Sequence, residues 1–228
     1  MKNYPETATE RFDGANLHIK YCLHFVKKFI YGDILEVGAG CGSFTKNYLN
    51  KNLKKIILTD LDIKNISDLK KRFKKEKKVK ISKLPVKKIN KKFDVILYFH
   101  VLEHIKNDNA ELISAKSRLK KNGYLIIMVP SGKKIFGNLD KAVGHFRRYE
   151  RSFFKKKLLK LKRVKLYSLD IFGYWLYFLN KIFFKKEIFP SKLKIFLWDK
   201  IFTPMTIVLD RILNYKYGKC ILVIYQKN

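Results

Sequence analysis

Apolar and polar segments alternate along the chain in a way that predicts strands followed by helices. Short apolar runs predict strands that begin at Asp33, Lys54, Phe93 and Tyr124. The lysine-rich stretch Lys70–Lys92 is expected to hold an exposed helix and a short third strand, so the run at Phe93 is the fourth. Two later runs, Val164–Phe172 and Cys220–Tyr225, predict the last two strands. Because strands that alternate with helices favour a doubly wound, mostly parallel sheet, the pattern predicts an α/β fold.

At 228 residues the chain has the size of one domain with its additions. We expect residues 1–32 to form a lead-in with one amphipathic helix, near Leu17–Phe29. Residues 33–130 carry most of the predicted strands, and residues 131–228 complete the domain.

Two segments near the carboxyl end are apolar around most of their helical circumference, and lysines border both. These segments are Ile171–Phe184 and Ile195–Leu213. A helix of this kind is buried, covered by another element or set into a membrane interface. We therefore predict a helical addition at about 171–213 that serves as a lid or as a membrane contact.

Three glycines at alternating positions follow the first strand and indicate a ligand-binding turn. Gly38, Gly40 and Gly42 let the backbone turn tightly and approach a nucleotide-like ligand. We expect Ser43 or Thr45 to cap the next helix, whose positive end then faces the ligand. A NAD-type loop needs Gly-x-Gly-x-x-Gly, and Ser43 stands where its third glycine belongs. The spacing therefore disfavours a NAD-dependent oxidoreductase.

An acidic residue ends the second strand, 22 residues beyond Gly38. A carboxylate at this position can accept hydrogen bonds from both hydroxyls of a ribose. Asp60 directly follows the apolar run and is preferred over Asp62, which comes two residues later.

Four blocks of the sequence resemble one enzyme class. Glu36 and the glycines resemble motif I of class I S-adenosylmethionine-dependent methyltransferases. Val101-Leu-Glu-His-Ile105 is similar to the VLEH block that follows the fourth strand in many of them. The segment 140–149 resembles the GHxRRY block of a bacterial group that is often encoded near or fused to glycosyltransferases. The tail of that group is similar to Trp198-Asp199, Pro204, Leu209-Asp210 and Gly218-Lys219.

The resemblance implies a Rossmann-like, seven-stranded class I methyltransferase fold that closes with an antiparallel pair of strands. It also implies S-adenosyl-L-methionine as cofactor, with 33–130 as the cofactor half and 131–228 as the substrate side. The positions that it assigns to the cofactor are Glu36, Gly38, Ala39, Gly40, Gly42, Asp60, Leu61, Tyr98 and Phe99. Tyr98 and Phe99 equally suit a plain strand core.

The position that reads adenine departs from the pattern of the class. Members commonly carry an acid after the third strand, whereas this chain has Ser82-Lys83-Leu84. Adenine recognition is then left to Ser82 or to the backbone.

Histidines are the candidates for a general base, because an oxygen acceptor usually has to lose a proton near neutral pH. His145 is preferred, since it lies in the substrate segment beside two arginines. His104 and His100 are the alternatives, and a structural role is open for all three.

Arg147 and Arg148 stand out in a chain that has 43 lysines and 8 arginines. A guanidinium recognises phosphate or carboxylate with two parallel hydrogen bonds. Together with Tyr149, the pair predicts an anion clamp on the substrate. The alternative is an internal salt bridge to Asp140 or Glu150.

A metal site is not expected from the sequence. Glu103 and His104 could bind an ion with a third ligand, but adjacent residues point in different directions on a helix. The cysteines are too few and too scattered for a disulfide framework or a zinc site; they are Cys22, Cys41 and Cys220.

The formal net charge of +32 indicates a polyanionic partner or a solvated lysine surface. An anionic membrane is preferred to nucleic acid, because no added RNA-binding module and no Asn-Pro-Pro-Tyr motif is evident. Without a secretory signal or a span of roughly 20 apolar residues, we expect a cytoplasmic protein, with a peripheral place on the inner membrane face as the alternative.

The expected function is methyl transfer from S-adenosylmethionine to a small-molecule, sugar or lipid-linked glycan acceptor. The alternatives are an RNA methyltransferase that uses the basic surface, and a catalytically silent protein that keeps the cofactor fold.

Overall fold

The strands assemble into one sheet in the computed structural model, which describes residues 13–155, 160–183 and 189–228. The described strands are β1 (Gly32–Val37), β2 (Leu53–Thr59), β3 (Val79–Ser82), β4 (Phe93–Phe99), β5 (Leu119–Pro130), β6 (Lys162–Leu169) and β7 (Cys220–Gln226). Their order across the sheet is β3-β2-β1-β4-β5-β7-β6. Strands β1 to β5 are parallel to their neighbours, and β7 is antiparallel to both β5 and β6. The predicted doubly wound sheet with a closing antiparallel pair is confirmed.

Helices connect the strands and cover both faces of the sheet. The described α-helices are α1 (Asn16–His24), α2 (Ser43–Tyr48), α3 (Ile63–Arg72), α4 (Asp108–Ser117), α5 (Asn138–Ala142), α6 (Arg151–Lys155), α7 (Ile171–Phe183), α8 (Lys192–Leu197) and α9 (Thr203–Ile212). A π-helical stretch, Trp198–Phe202, joins α8 to α9. The predicted addition near 171–213 is therefore present as helices, and it lies between β6 and β7.

Both faces of the sheet are buried, which explains why the central strands are continuous apolar runs. One face carries Ile34, Leu58 and Leu97, and residues of α1 and α2 pack on it. The other face carries Leu35, Ile96 and Ile127, with residues of α4 among its neighbours. The sheet thereby supplies a rigid frame for the loops at its carboxyl edge.

Three predicted boundaries were wrong, each for a local reason. The chain leaves β6 at Leu169 rather than Phe172, because Asp210 accepts the backbone N–H groups of Asp170 and Ile171 and caps α7. Strand β5 begins at Leu119 rather than at Tyr124, directly after helix α4 ends at Ser117. The backbone N–H of Phe93 bonds to the Arg118 carbonyl, which draws the chain into β5. The first helix stops at His24, and a 3₁₀ turn at Lys27–Phe29 completes the predicted segment.

The tail residues that resemble the GHxRRY group anchor the added helices to the sheet. Asp199 accepts the N–H groups of Leu17 and His18 at the start of α1, at 3.3 and 2.9 Å. Lys219 Nζ lies 3.1 Å from Asp170 Oδ2 and 4.0 Å from the Trp198 ring centroid. These contacts give the tail residues a structural role.

The turn before β7 requires a glycine. A Cβ at Gly218 would lie 2.2 Å from the Leu169 carbonyl oxygen. No helix in the described part of the chain is both long enough and apolar enough to cross a membrane.

Candidate cofactor and acceptor site

The glycine loop lies at the carboxyl edge of the sheet, where β1, β2 and β4 end. Gly38, Gly40 and Gly42 have φ angles of +64°, +55° and +81°, the left-handed region that side chains disfavour. A Cβ at Gly38 would also lie 2.7 Å from a methyl group of Val101. The Ala39 N–H donates to the Thr59 carbonyl and thereby ties the loop to β2. Glycine is therefore needed here for both conformation and space.

Asp60 is placed beside this loop by two backbone hydrogen bonds. Its Oδ2 accepts the Gly40 N–H, and its Oδ1 accepts the Asp62 N–H, each at 2.9 Å. A carboxylate offers about four acceptor positions, so about two remain for a ligand. Leu61, the next residue, has 58% of its surface exposed. An apolar surface thus adjoins the acid at the same edge of the sheet.

Glu36 lies beneath the loop rather than on its surface. Its side chain is buried, and its Oε2 accepts hydrogen bonds from the hydroxyls of Thr45 and Tyr48, both at 2.6 Å. Burial raises the pKa of this carboxyl to about 7, although the two hydroxyls oppose the shift.

The prediction that Ser43 or Thr45 caps α2 was wrong. The N-cap is Gly42, and no side chain caps the helix. The Thr45 hydroxyl is engaged by Glu36, and the Ser43 hydroxyl donates to Asp13. Both predicted capping groups therefore have other partners.

The end of β4 places its three candidate residues in different surroundings. Tyr98 is fully buried and donates to Glu111 at 2.8 Å, as expected of strand core. Phe99 stacks on Phe44 with ring centroids 4.4 Å apart, next to the glycine loop. His100 follows with a φ of +56°.

The ring of His100 lies between an acid and a thiol. Nδ1 is 3.5 Å from Glu103 Oε1, and Nε2 is 3.9 Å from Cys220 Sγ. Burial alone would lower the pKa of His100, but the charges of Cys220 and Glu103 outweigh it and raise that pKa. The same contact lowers the pKa of the buried Cys220 thiol to about 6.

His145 and His104 come together with Glu103 at the same edge of the sheet. Their ring centroids are 4.6 Å apart, and His145 Nε2 is 3.8 Å from Glu103 Oε1. Burial lowers the pKa of His104 to about 4, and Glu103 opposes that shift. The structure thus brings all three predicted histidines close to Glu103: His100 and His145 face its carboxylate, and His104 packs on the His145 ring.

Asp140 fixes the orientation of His145. One oxygen lies 2.7 Å from His145 Nδ1 and 2.8 Å from Arg148 Nε, and the other accepts the Tyr177 hydroxyl at 2.6 Å. Burial would raise the pKa of Asp140, but these partners lower it to about 2. The ionised carboxylate holds the Nδ1 proton of His145 and leaves Nε2 directed toward Glu103.

The arginine pair divides its roles inside the protein. Arg148 is buried, with Nε on Asp140, Nη1 3.1 Å from the Ser131 carbonyl oxygen and its guanidinium over the Tyr177 ring. This placement favours the internal salt bridge over the anion clamp for Arg148. Tyr149 is also buried and donates to Asp108 at 2.8 Å. Arg147 pairs with Asp108 at 2.7 Å but stays partly exposed, and it is the member of the pair that a substrate can reach.

Sequence reasoning did not identify Phe44, Tyr177 or the positioning role of Asp140. Phe44 lies in the first turn of α2, directly after the glycine loop, where an aromatic residue between Ser43 and Thr45 is a visible signal. Asp140 heads the block that contains His145. Tyr177 lies in an apolar helix and has no such signal, because only the fold brings it to Asp140.

The order of the strands, the left-handed glycine turn and the acid at the end of β2 together define a class I methyltransferase architecture. The chain belongs to the methyltransferase domain family, whose profile matches residues 15–168. It is an enzyme that uses S-adenosylmethionine as methyl donor. No curated protein matches the chain in sequence.

Solved structures share the fold at low sequence identity. The N-methyltransferase NodS from Bradyrhizobium japonicum WM9, in complex with S-adenosyl-L-homocysteine, is 13% identical with a TM-score of 0.59, over 92% of this chain and 85% of that one. Coclaurine N-methyltransferase, bound to N-methylheliamine and the same product, is 14% identical with a TM-score of 0.64, over 98% and 76%. A putative methyltransferase from Bacillus halodurans C-125 is 17% identical with a TM-score of 0.62, over 91% and 98%. These likenesses confirm the fold.

Proposed function

We propose that the enzyme methylates a glycan or lipid-linked acceptor that is presented at an anionic membrane surface. The observation that carries this proposal is the exposed apolar face of the added helices. Of 19 exposed large apolar residues in the described part of the chain, 13 lie between Trp175 and Tyr217. Exposed apolar side chains concentrated in one region of a protein usually mark a contact with a partner or a membrane.

The charge around this face favours an anionic lipid surface as the partner. Exposed cationic residues border the apolar ones; they are Lys181, Lys192, Lys194, Lys200, Arg211 and Lys216. Each basic residue near an anionic bilayer contributes about 1 kcal/mol of attraction. Aromatic and aliphatic side chains inserted between lipid headgroups add the hydrophobic part of the binding energy.

The proposed cofactor position is at the carboxyl edge of the sheet, beside the glycine loop. In this proposal Asp60 binds the ribose hydroxyls and Leu61 packs on the adenine. Gly38–Gly42 face the amino-acid end of the cofactor, and the buried Glu36 supports the loop through Thr45 and Tyr48. The stacked pair Phe44 and Phe99 supplies aromatic faces for the sulfonium. Tyr98 belongs to the core on the other face of the sheet and takes no part in this pair.

The acceptor is activated in this proposal at the Glu103, His104 and His145 cluster. Transfer is an in-line displacement: an oxygen of the acceptor forms a bond to the methyl carbon while the C–S bond breaks. Its electron pair stays on sulfur, and the proton of the acceptor hydroxyl has to be removed. His145 is held by Asp140 with Nε2 directed away from that acid, as a proton acceptor requires. Arg147 offers a partly exposed cation to an anionic group of the acceptor.

Vesicle sedimentation tests the membrane part of the proposal. We expect the protein to sediment with phosphatidylcholine vesicles only when they contain phosphatidylglycerol, and less so as salt rises. Replacing Trp175 and Phe178 by Ser should weaken sedimentation at least about tenfold, since each buried ring contributes roughly 1.5–3 kcal/mol. Ile113→Ser is the matched control, because Ile113 is at least as exposed as Trp175 and Phe178 but lies on α4. No sedimentation at low salt, or an equal loss in the control, refutes membrane docking.

Methyl-labelled S-adenosylmethionine tests the acceptor. Purified enzyme is incubated with an extract of the source cells, which is then divided into organic-soluble, glycan, nuclease-sensitive and small aqueous fractions. Label in the organic or glycan fraction supports the proposal. Label that is lost on nuclease treatment refutes it in favour of RNA, with the lysine surface as the binding platform.

A further inference from the structure

The carboxylate of Glu103 is buried without a hydrogen bond. Its side chain is completely buried, and within the described part of the chain neither Oε1 nor Oε2 has a hydrogen-bond partner. A buried carboxylate costs free energy unless hydrogen bonds or opposite charge compensate it. The ring nitrogens nearest to Oε1 are Nδ1 of His100, at 3.5 Å, and Nε2 of His145, at 3.8 Å. Oε1 faces these two rings, and the carboxylate keeps lone pairs that a ligand can use.

A short turn brings the neighbouring ligand atoms together. Leu102–His104 is a 3₁₀ turn rather than an α-helix, and Phe146 N–H donates to the Glu103 carbonyl, which holds the turn against the segment of His145. One ligand atom from each of Glu103, His104 and His145 lies within 4.8 Å of the other two. The expectation that adjacent residues diverge fails here because the turn does not have α-helical geometry.

The two imidazoles are oriented as metal ligands usually are. His145 Nδ1 bonds to Asp140, and His104 makes a hydrogen bond with the backbone of Gly144. A metal-binding histidine almost always donates its second N–H to a carboxylate or a carbonyl, which fixes the ring and the tautomer. Both histidines follow this arrangement.

We propose that Glu103, His104 and His145 bind one divalent first-row transition-metal ion. Two imidazoles and one carboxylate are the ligands of catalytic zinc and non-haem iron sites, which keep open positions for a substrate. Magnesium is disfavoured, because it prefers an all-oxygen shell. Ligands at about 2.1 Å from an ion lie about 3–4 Å apart. Side-chain rotations that shorten the widest separation by about 1 Å therefore complete the site.

The site deepens the proposed function and, in its catalytic role, rests on it. An ion at this position holds an acceptor oxygen and lowers the pKa of its proton, which then leaves to solvent. His145 is in that case a ligand instead of the general base. The cluster lies next to the glycine loop, since Val101 at the start of the turn contacts the Gly38 position. An acceptor oxygen on the ion can therefore approach the cofactor.

Cobalt binding tests the site without any activity measurement. Tag-free protein is stripped with a chelator and titrated with Co²⁺, whose visible absorption intensifies when nitrogen and oxygen ligands replace water in a four- or five-coordinate site. We expect one Co²⁺ per chain, and a loss of affinity of at least about tenfold in His145→Ala and in His104→Ala. His24→Ala is the control, because His24 is exposed on α1 and outside the cluster. Circular dichroism establishes that each variant is folded.

The outcomes separate the metal site from the proposed function. Weakened binding in the cluster variants with unchanged binding in His24→Ala supports the site. No spectral change in folded wild-type protein up to about 1 mM Co²⁺, or equal binding in His145→Ala, overturns it. Binding of S-adenosylhomocysteine is measured on the same metal-free sample by calorimetry. Cofactor binding without cobalt binding rejects the metal alone, whereas cobalt binding without cofactor binding rejects the proposed function and leaves the metal site standing.

Discussion

Glu36 makes the stability of the fold depend on pH in a predictable direction. The carboxyl is 2% exposed, and burial raises its pKa in the folded protein to about 7, from about 4.5. Because the folded-state pKa is the higher one, the folded protein holds this proton more tightly than the unfolded chain. The stabilisation is therefore complete below about pH 4.5 and is lost as the pH rises through about 7.

The magnitude follows from the size of the shift. One pKa unit corresponds to about 1.4 kcal/mol, so Glu36 should change the free energy of unfolding by about 2–3 kcal/mol between pH 5 and pH 8. Glu36→Gln removes this titration but keeps an acceptor for the hydroxyls of Thr45 and Tyr48. The variant should gain that amount of stability relative to wild type as the pH rises.

Urea unfolding followed by tryptophan fluorescence at pH 5 and pH 8 measures the difference. Tyr48→Phe provides a second test, because it removes a hydroxyl that favours the ionised form of Glu36. The loss of stability with rising pH should therefore occur at a higher pH in this variant than in wild type. If wild type and Glu36→Gln change in parallel, within about 0.5 kcal/mol, Glu36 stays ionised in the folded protein. In that case burial does not raise the pKa of this carboxyl.

Three further predictions concern other parts of the molecule. Asp60→Ala should weaken S-adenosylhomocysteine binding at least about tenfold by calorimetry, whereas Asp62→Ala should lose only about 1 kcal/mol of stability as an N-cap. Unchanged affinity in Asp60→Ala contradicts the ribose assignment. Gly218→Ala should destabilise the fold by about 1–3 kcal/mol in thermal unfolding. Gly137→Ala should not, because a Cβ there would lie 3.6 Å from the nearest atom, the Ile135 carbonyl oxygen. Equal melting temperatures of the two variants would show that the Gly218 position has space for a side chain. Arg148→Lys should lower the free energy of unfolding by about 1–3 kcal/mol, because lysine cannot reach Asp140 and Ser131 together. An unchanged melting temperature with weaker substrate binding would instead support an anion clamp at Arg148.

The parts of the fold that the sequence predicts are those in which a local pattern has one structural outcome. A buried parallel strand needs a continuous apolar run, and a turn with positive φ angles needs glycine, so β1, β4 and the loop at Gly38–Gly42 were predicted correctly. The acid at Asp60 could be located for the same reason, since the carboxyl end of β2 has a fixed place beside β1.

The roles of polar side chains depend on partners far away in the sequence, and these could not be predicted. Thr45 was expected to cap α2, but Glu36 takes its hydroxyl. The sequence allows Arg148 either a substrate clamp or an internal salt bridge. The structure favours the salt bridge, partly because α7 brings the Tyr177 ring against the guanidinium. α-Helical geometry predicts that the side chains of Glu103 and His104 diverge, whereas the chain forms a 3₁₀ turn there.

The position of β7 between β5 and β6 affects the order in which the domain can assemble. Among the described strands, β6 is hydrogen-bonded to β7 alone, although about 50 residues separate the two strands in the chain. Strand β6 and the apolar helices after it therefore cannot join the sheet until β7, the last strand in chain order, has paired with β5. Long-range pairing of this kind is slow, and it leaves an apolar surface exposed meanwhile. During synthesis that surface would be available to chaperones or to a membrane before the finished enzyme exists.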